Sequence, residues 1–418
     1  GGWGTRGKSG TERLKAALVN ARGYGVVSKT TGCEAMFVFA RPFRPLREVF
    51  LFRPYDKATI WEQLNLALLA QRLKAGVFLW ECMGLTPSYV RILQRQWMRD
   101  DLATITNTYP DHEDIQGPAG RDIPRVMLNF LPRRSKVLTT EEEMRPILAE
   151  GARRAGSSFI PVPGLEARVI APDVLDRFPY AEHPANVALV LRLAGELGLE
   201  GDFALKEMAD RVVPDLGVLK SFPEAPVAGR RISFVNGMSA NERFGTLANW
   251  RRMGFADHDP EADPPTRLVT VVNNRADRVA RSNVFAGILA ADISADVHVL
   301  IGDNLEGFHG FIRDAWAART AETTLWPGGN RTPSEVLEAW VRWLRLPRTA
   351  AEAAARVAAM DPDHAETSDH AAAVEARLAE VEALRDRVAA AGATADSTLD
   401  EAFRARLTDW FEGRLVVV

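Results

Sequence analysis

Gly2-Trp3-Gly4-Thr5-Arg6-Gly7-Lys8-Ser9 fits GxxxxGK[ST], the phosphate-binding loop, at the start of the numbered chain. In such a loop backbone N–H groups cradle phosphate oxygens, the lysine reaches the β/γ-phosphates, and the hydroxyl after it can ligate Mg2+. A chance match arises in roughly one or two chains per hundred of this length, so the flanking sequence has to decide. It agrees: Gly10–Arg22 carries Leu14, Ala17, Leu18 and Ala21 on one stripe and stops at Gly23, the signature of an amphipathic helix. A phosphate loop hangs from a preceding β-strand. No strand pattern precedes this loop, residue 1 is not Met, and Arg414-Leu415-Val416-Val417-Val418 reads as a buried strand with nothing after it. The expectation is a chain that begins inside a longer protein, after its first strand.

At 418 residues the chain is long enough for two or three domains with sizeable cores. A hydrophobic content of 46% with 26% charged residues belongs to an ordinary globular protein. The net charge of −3 argues against nucleic acid as a partner. Two cysteines, Cys33 and Cys82, make no disulfide framework and are expected as thiols of a reducing compartment. No apolar run reaches the ~18 residues of a membrane span.

Short apolar runs alternate with amphipathic stretches. Strands are expected at Tyr24–Ser28, Val77–Glu81, Leu102–Asn107 and Lys136–Leu138, and helices at Ala58–Leu73, Ser88–Met98, Glu141–Ala155 and Ala185–Leu197. That order predicts α/β architecture with a mostly parallel sheet. Val213–Arg230, rich in Pro and Gly, reads as a linker and candidate hinge. The alternation then restarts with strands Arg231–Val235, Leu268–Val272 and Val297–Ile301 and helices Glu242–Met253, Asp277–Ala291 and Phe308–Ala318. Two domains are expected, residues 1–228 and 229–418. The second carries an Ala-rich insertion at about 349–400, read as one or two exposed helices from the spacing of Val374, Leu378, Val381, Leu384 and Val388.

Ligands of a parallel sheet bind beyond the carboxyl ends of its strands. Three polar clusters fall there: Ser28-Lys29-Thr30-Thr31-Gly32, Glu81-Cys82-Met83, and Asn107 through Asp114 with His112 between acids. With the phosphate loop they offer hydroxyl, carboxylate and imidazole groups around nucleotide-bound Mg2+. Each is weak alone. Thr30 and Thr31 suit an ordinary turn, Glu81 a structural ion pair and His112 a solvated loop.

Taken in order, these clusters together with Phe234-Val235-Asn236-Gly237-x-x-Ala240-Asn241 and Asn273-x-Arg275-Ala276-Asp277-Arg278-Val279 resemble the Mur-ligase-like catalytic subunit of bacterial poly-γ-glutamate (capsule) synthases. The resemblance covers about 1–310 and returns at 413–418. Arg6 in the loop and the Arg-Ala-Asp-Arg motif set it apart from peptidoglycan Mur ligases and folylpolyglutamate synthases.

The resemblance implies a P-loop ATPase domain followed by a Rossmann-like ligase domain. It implies Gly4, Thr5, Arg6, Gly7, Lys8 and Ser9 on phosphate, Ser9 with Thr30 or Thr31 on one Mg2+, and Glu81 with His112 on a second. Mn2+ is the alternative ion. Asn186 would contact adenine; its plain alternative is a polar helix N-terminus. Asn236, Asn241, Arg275, Asp277 and Arg278 would face nucleotide and substrate from the C-terminal domain, against the bland reading of surface ion pairs. The implied chemistry joins glutamate to a growing poly-γ-glutamate chain through an acyl phosphate. The implied setting is the cytoplasmic face of the bacterial membrane, with small membrane subunits and further copies of the chain as partners. These residues contain neither the family's hydrophobic N-terminal segment nor its Gly-Asn-rich C-terminal motif, and Gly10 follows Ser9 where relatives carry Ser or Thr. The competing readings are a Mur-type ligase for another amino acid or a folate-like acceptor, an ATP-binding scaffold subunit, and a P-loop kinase or motor.

Overall fold

The computed structural model describes all residues except 32–34, 54–57, 111, 118, 229 and 359–366, together with the side chains of Glu113, Asp114 and Thr367. Cys33 and Asp111 therefore lie outside the described residues. The chain forms two compact units, Gly1–Phe222 with Phe234–Ala240, and Pro223–Ser233 with Asn241–Val418.

The two larger sheets of the first unit are built from β1 (Gly2–Trp3), β2 (Val26–Thr30), β3 (Met36–Ala40), β4 (Arg47–Phe50), β5 (Val77–Trp80), β6 (Leu102–Ile105), β7 (Lys136–Thr139) and β8 (Ser158–Pro161). β1, β6, β7 and β8 form one parallel sheet. In the order β4-β3-β2-β5, β2 and β5 are parallel while β3 and β4 run antiparallel. A parallel bridge between Gly2 and Glu81, with Cys82 N–H donating to Gly2 O at 2.8 Å, sets β5 beside β1.

One expectation is corrected here, and one element is new. The strand that holds the phosphate loop is Gly2–Trp3 itself, paired with Thr104 and Ile105. The β3–β4 hairpin is absent from the sequence reading, because its apolar run carries no helix-to-strand alternation of the kind used to place the parallel strands.

Helix α1 (Lys8–Ala21) is buried on nearly every side. Leu14, Ala17 and Leu18 share a core with Val187, Leu189, Val190 and Leu193 of helix Pro184–Glu196. A separate core holds Trp3, Trp80 and Phe130, whose rings meet edge to face at 5.7 and 5.4 Å. Helices on both faces are what a buried parallel sheet requires.

The expected strand Arg231–Val235 is split. β9 (Lys220–Ser221) pairs antiparallel with a later strand, and β10 (Ala225–Val227) with β11 (Arg230–Ile232); the partner of β9 is β12 (Val235–Asn236). Both ribbons fall on or beside the expected linker, and every residue of β10 and β11 is exposed. With no apolar face to bury, this stretch cannot form a core strand.

In the second unit β13 (Val269–Asn274), β14 (Val297–Gly302) and β15 (Leu415–Val417) make a parallel sheet in that order. The expectation of a buried last strand is corrected: β15 is an edge, and Val416 and Val417 are 43% and 52% exposed. The Ala-rich region is corrected too. It forms helices Ala350–Ala358, Thr367–Ala391 and Ser397–Glu412, and Val381, Leu384 and Val388 lie in the same core as Trp316, Leu337 and Phe403. Apolar residues at helical spacing need a partner surface, and here it is the centre of the unit. No helix among the described residues is long and apolar enough to cross a membrane.

Candidate active site

The phosphate loop joins β1 to α1 and is tied down by the segment after β6. Thr5 N–H donates to Asn107 O at 3.0 Å and Thr5 Oγ1 to Tyr109 O at 2.7 Å. Arg6 N–H donates to Asn107 Oδ1 at 2.8 Å, and Asn107 Nδ2 returns to Arg6 O at 3.1 Å. Arg6 Nη1 reaches Ser239 O at 3.0 Å within the same unit. Gly7 caps α1 in the left-handed region, φ 81°, and a Cβ there would lie 2.4 Å from Asn186 Oδ1. Conformation and space both require glycine. Lys8 Nζ folds back onto Thr5 O at 3.0 Å.

Glu81, 1% exposed, is where the expected site residues converge. Its carboxylate accepts from Ser9 Oγ at 2.7 Å, from Thr31 N–H at 2.8 Å and from Thr31 Oγ1. A buried carboxylate is tolerable only with such donors. Thr30, one residue earlier on the pleat, points the other way; its hydroxyl lies 3.4 Å from Arg13 Nη2. Thr31, not Thr30, is therefore brought to Glu81. His112 adopts φ 52°, is half-buried, and its carbonyl caps the turn by accepting from Ile115 and Gln116 N–H.

Beside this cluster, Lys29 is fully buried with Nζ 3.3 Å from Glu62 and 3.7 Å from Met83 Sδ. Burial pulls its pKa down to about 8, against the opposing pull of Glu62 and Glu81. Burial pushes the Cys82 thiol up to about 12, leaving it an inert apolar filler.

Asn186 is held by residues the sequence does not single out. Its Nδ2 donates to Glu182 Oε1 at 2.9 Å, and Tyr180 donates its hydroxyl to Glu182 Oε2. The buried tyrosine is raised well above its usual pKa, by burial first and by Glu182 next. This chain fixes the Asn186 amide so that Oδ1 faces Gly7. Glu182 just before the His183-Pro184 helix start is the sequence sign of it.

Asn236, expected on the C-terminal domain, packs with the first unit, donating Nδ2 to Leu216 O at 2.7 Å. In the second unit, Arg275, Asp277 and Arg278 occupy the loop after β13, at the carboxyl edge of the sheet. Arg275 Nε lies 2.9 Å and Arg278 Nε 3.5 Å from the Asp277 carboxylate, which these arginines hold below its usual pKa, Arg275 foremost. Asn274 and Ser282, unmarked in the sequence reading, brace that loop: Ser282 Oγ donates to Asn274 Oδ1 and Asn274 Nδ2 to Asp303 O, each at 2.7 Å. Asn241 begins the second segment of the second unit, half-buried.

Residues 222–371 match the family model described as the poly-gamma-glutamate synthase CapB C-terminal domain, which carries the likeness past the residue-310 limit suggested by the motifs. The PGA synthase CapB of Bacillus subtilis (strain 168) is 28% identical over 306 residues, 72% of this chain and 74% of that protein. The capsule biosynthesis protein CapB of Bacillus anthracis is 28% identical over 305 residues, 72% of this chain but only 62% of that protein. Among solved structures, E. coli FolC in complex with ADP aligns at a TM-score of 0.52 with 18% identity, over 77% of this chain and 84% of that one. The Mycobacterium tuberculosis folylpolyglutamate synthase complexed with ADP and AMPPCP aligns at 0.51 with 16% identity, over 76% and 79%. At such identities these two structures speak to the fold, which is of the Mur-ligase type.

Proposed function

We propose that this chain is a member of the poly-γ-glutamate synthase CapB family, whose C-terminal domain model and two Bacillus relatives it resembles, and that it is an ATP-dependent amide ligase that extends poly-γ-glutamate with glutamate. A carboxylate oxygen attacks the γ-phosphorus of ATP, the bond to ADP breaks, and an acyl phosphate forms. The amine nitrogen of the incoming amino acid attacks the acyl carbon, the C–O bond to phosphate breaks, and the amine gives up a proton as the amide forms.

The observation that carries this reading is the meeting of the Ser9 and Thr31 hydroxyls on the Glu81 carboxylate beside the phosphate loop. The difficulty in the first step is approach of two anions. Loop N–H groups, the α1 N-terminus and Lys8 offset that repulsion and stabilise charge on the phosphoryl oxygens. Ser9, Thr31 and Glu81 present hard oxygen donors, the set that suits Mg2+ or Mn2+ alongside phosphate oxygens and water. Thr30 and His112 are assigned to the same ion sites by the resemblance alone. A bound cation there would neutralise phosphate charge. Among the described residues no group of three or more His, Cys, Asp or Glu gathers to hold a metal.

Arg275, Asp277 and Arg278 are proposed as the second unit's share of substrate recognition, Asn186 and Asn236 as nucleotide-side residues. Work at the cytoplasmic face of the membrane with small membrane subunits and further copies rests on family membership.

The test is phosphate release from ATP and Mg2+ with glutamate, read with mass spectrometry of products. A glutamate-dependent ladder of glutamyl masses is expected; release with a different amino acid keeps the chemistry and changes the substrate. Lys8→Ala and Glu81→Ala are expected to cut turnover by roughly a hundredfold or more with an unchanged thermal midpoint. Wild-type-like turnover in either variant sinks the assignment.

A further inference from the structure

Beyond Glu81 the chain runs into helix Pro87–Ile92, continued as the π-helix Leu93–Met98. Its inner face buries Val90, Leu93 and Gln94, and Gln94 Nε2 donates to Phe130 O at 2.6 Å. That contact brings the connection Leu128–Arg134 alongside the helix. Arg91 and Arg95, one turn apart on the outer face, and Arg133 from the connection are all exposed.

Their charge is unbalanced. Arg95 is lowered from its ordinary pKa, by partial burial first and then by Arg133 and Arg91. Arg91 donates to Asn129 Oδ1 at 3.1 and 3.4 Å, a neutral acceptor. Among the described residues none of the three meets a carboxylate. Elsewhere in the unit arginines are paired, Arg53 with Glu62, and Arg153 and Arg154 with Glu150. Three like charges side by side repel unless an anion is shared between them.

We propose that Arg91, Arg95 and Arg133 form a binding track for the polycarboxylate chain, gripping successive side carboxylates of γ-linked oligoglutamate as it grows. The inference rests on the ligase reading above and adds where the product lies. Each repeat of such a chain carries one carboxylate, and planar guanidinium groups bind carboxylates in two-pronged fashion. The connection that carries Arg133 leads into the amino end of β7, so the track holds chain already made rather than the end being extended.

The experiment uses the full chain and a labelled γ-linked oligoglutamate, followed by fluorescence anisotropy at low and high salt. Combined Arg91→Glu, Arg95→Glu and Arg133→Glu should weaken binding about tenfold or more and flatten its salt dependence. The Arg→Gln triple, which keeps side-chain size, should give a smaller loss in the same direction. Phosphate release with free glutamate should stay at the wild-type level while the product ladder shortens. Unchanged oligoglutamate affinity in the Glu triple overturns the track. So does an oligonucleotide of equal charge that displaces the label more readily than unlabelled oligoglutamate. Absence of glutamate-dependent phosphate release in the wild type would instead defeat the ligase reading, and the binding comparison would still decide the track.

Discussion

Glu81 in the first unit and Arg414 in the second are both buried charges, and the protein treats them in opposite ways. Glu81 meets three donors from Ser9 and Thr31. Arg414 has neither Nη1 nor Nη2 hydrogen-bonded, and its guanidinium lies 5.9 Å from the Trp343 ring. Burial pulls it down to about 9, with Asp296 resisting and Arg345, Arg356 and Arg319 adding to the fall. Asp296 is the anion these arginines share: Arg345 Nε sits 2.9 Å from it and Arg356 Nη1 3.8 Å. The lesson is one of purpose. A satisfied carboxylate at a strand end costs little and is ready for chemistry, whereas a guanidinium beside one ring and a shared anion serves packing.

The contrast can be broken most forcefully at its anion. Asp296→Ala leaves Arg345 and Arg414 buried without their shared counter-charge, and Arg356 with Glu352 alone; it should cost the second unit roughly 3–5 kcal/mol, read as lost hydrogen-exchange protection in β14. Protection equal to the wild type would show that the arginines find other partners. A smaller effect comes from His298 on β14, fully buried, with Nδ1 2.8 Å from Thr270 Oγ1. Burial pushes it down to about 3, with Arg414 adding to the fall. An unfolded imidazole titrates near ~6.5, so protons favour the unfolded chain. Stability of the second unit should hold at neutral pH and fall as pH drops from about 6.5 toward 3. His298→Gln should flatten that dependence in urea titrations at pH 7 and pH 5; an identical pH response in the variant would remove His298 as its source. The smallest effect belongs to Arg414→Met. Exchanging an under-satisfied guanidinium for an apolar chain of similar length should change the unfolding free energy from urea titration by less than about 1 kcal/mol in either direction. A larger loss would mean that the ring contacts and Asp296 hold Arg414 more firmly than its geometry indicates.

What the sequence makes legible follows from how local each signal is. The phosphate loop and α1 are written in consecutive residues. Glu81 stands out because a carboxylate ending an apolar strand needs a reason. The choice of Thr31 over Thr30 depends on the pleat phase of β2, which a one-residue shift reverses. The chain from Tyr180 through Glu182 to Asn186 is local, yet its target is Gly7, far away in sequence. Val374, Leu378, Val381, Leu384 and Val388 announce a helix by spacing, but depth depends on Trp316, Leu337 and Phe403, which periodicity along one helix cannot supply. Family motifs reach Arg275 and Asp277 but not Asn274 and Ser282, whose work is to hold the loop that carries them.

Gly7 and Asn186 are far apart along the chain yet form a single unit of inheritance. The amide oxygen of Asn186 occupies the space a side chain at position 7 would need, 2.4 Å from its would-be Cβ. Asn186 cannot swing aside without abandoning Glu182. A lineage that shrinks residue 186 would clear the space but not the φ of 81°, so position 7 stays closed to other residues either way.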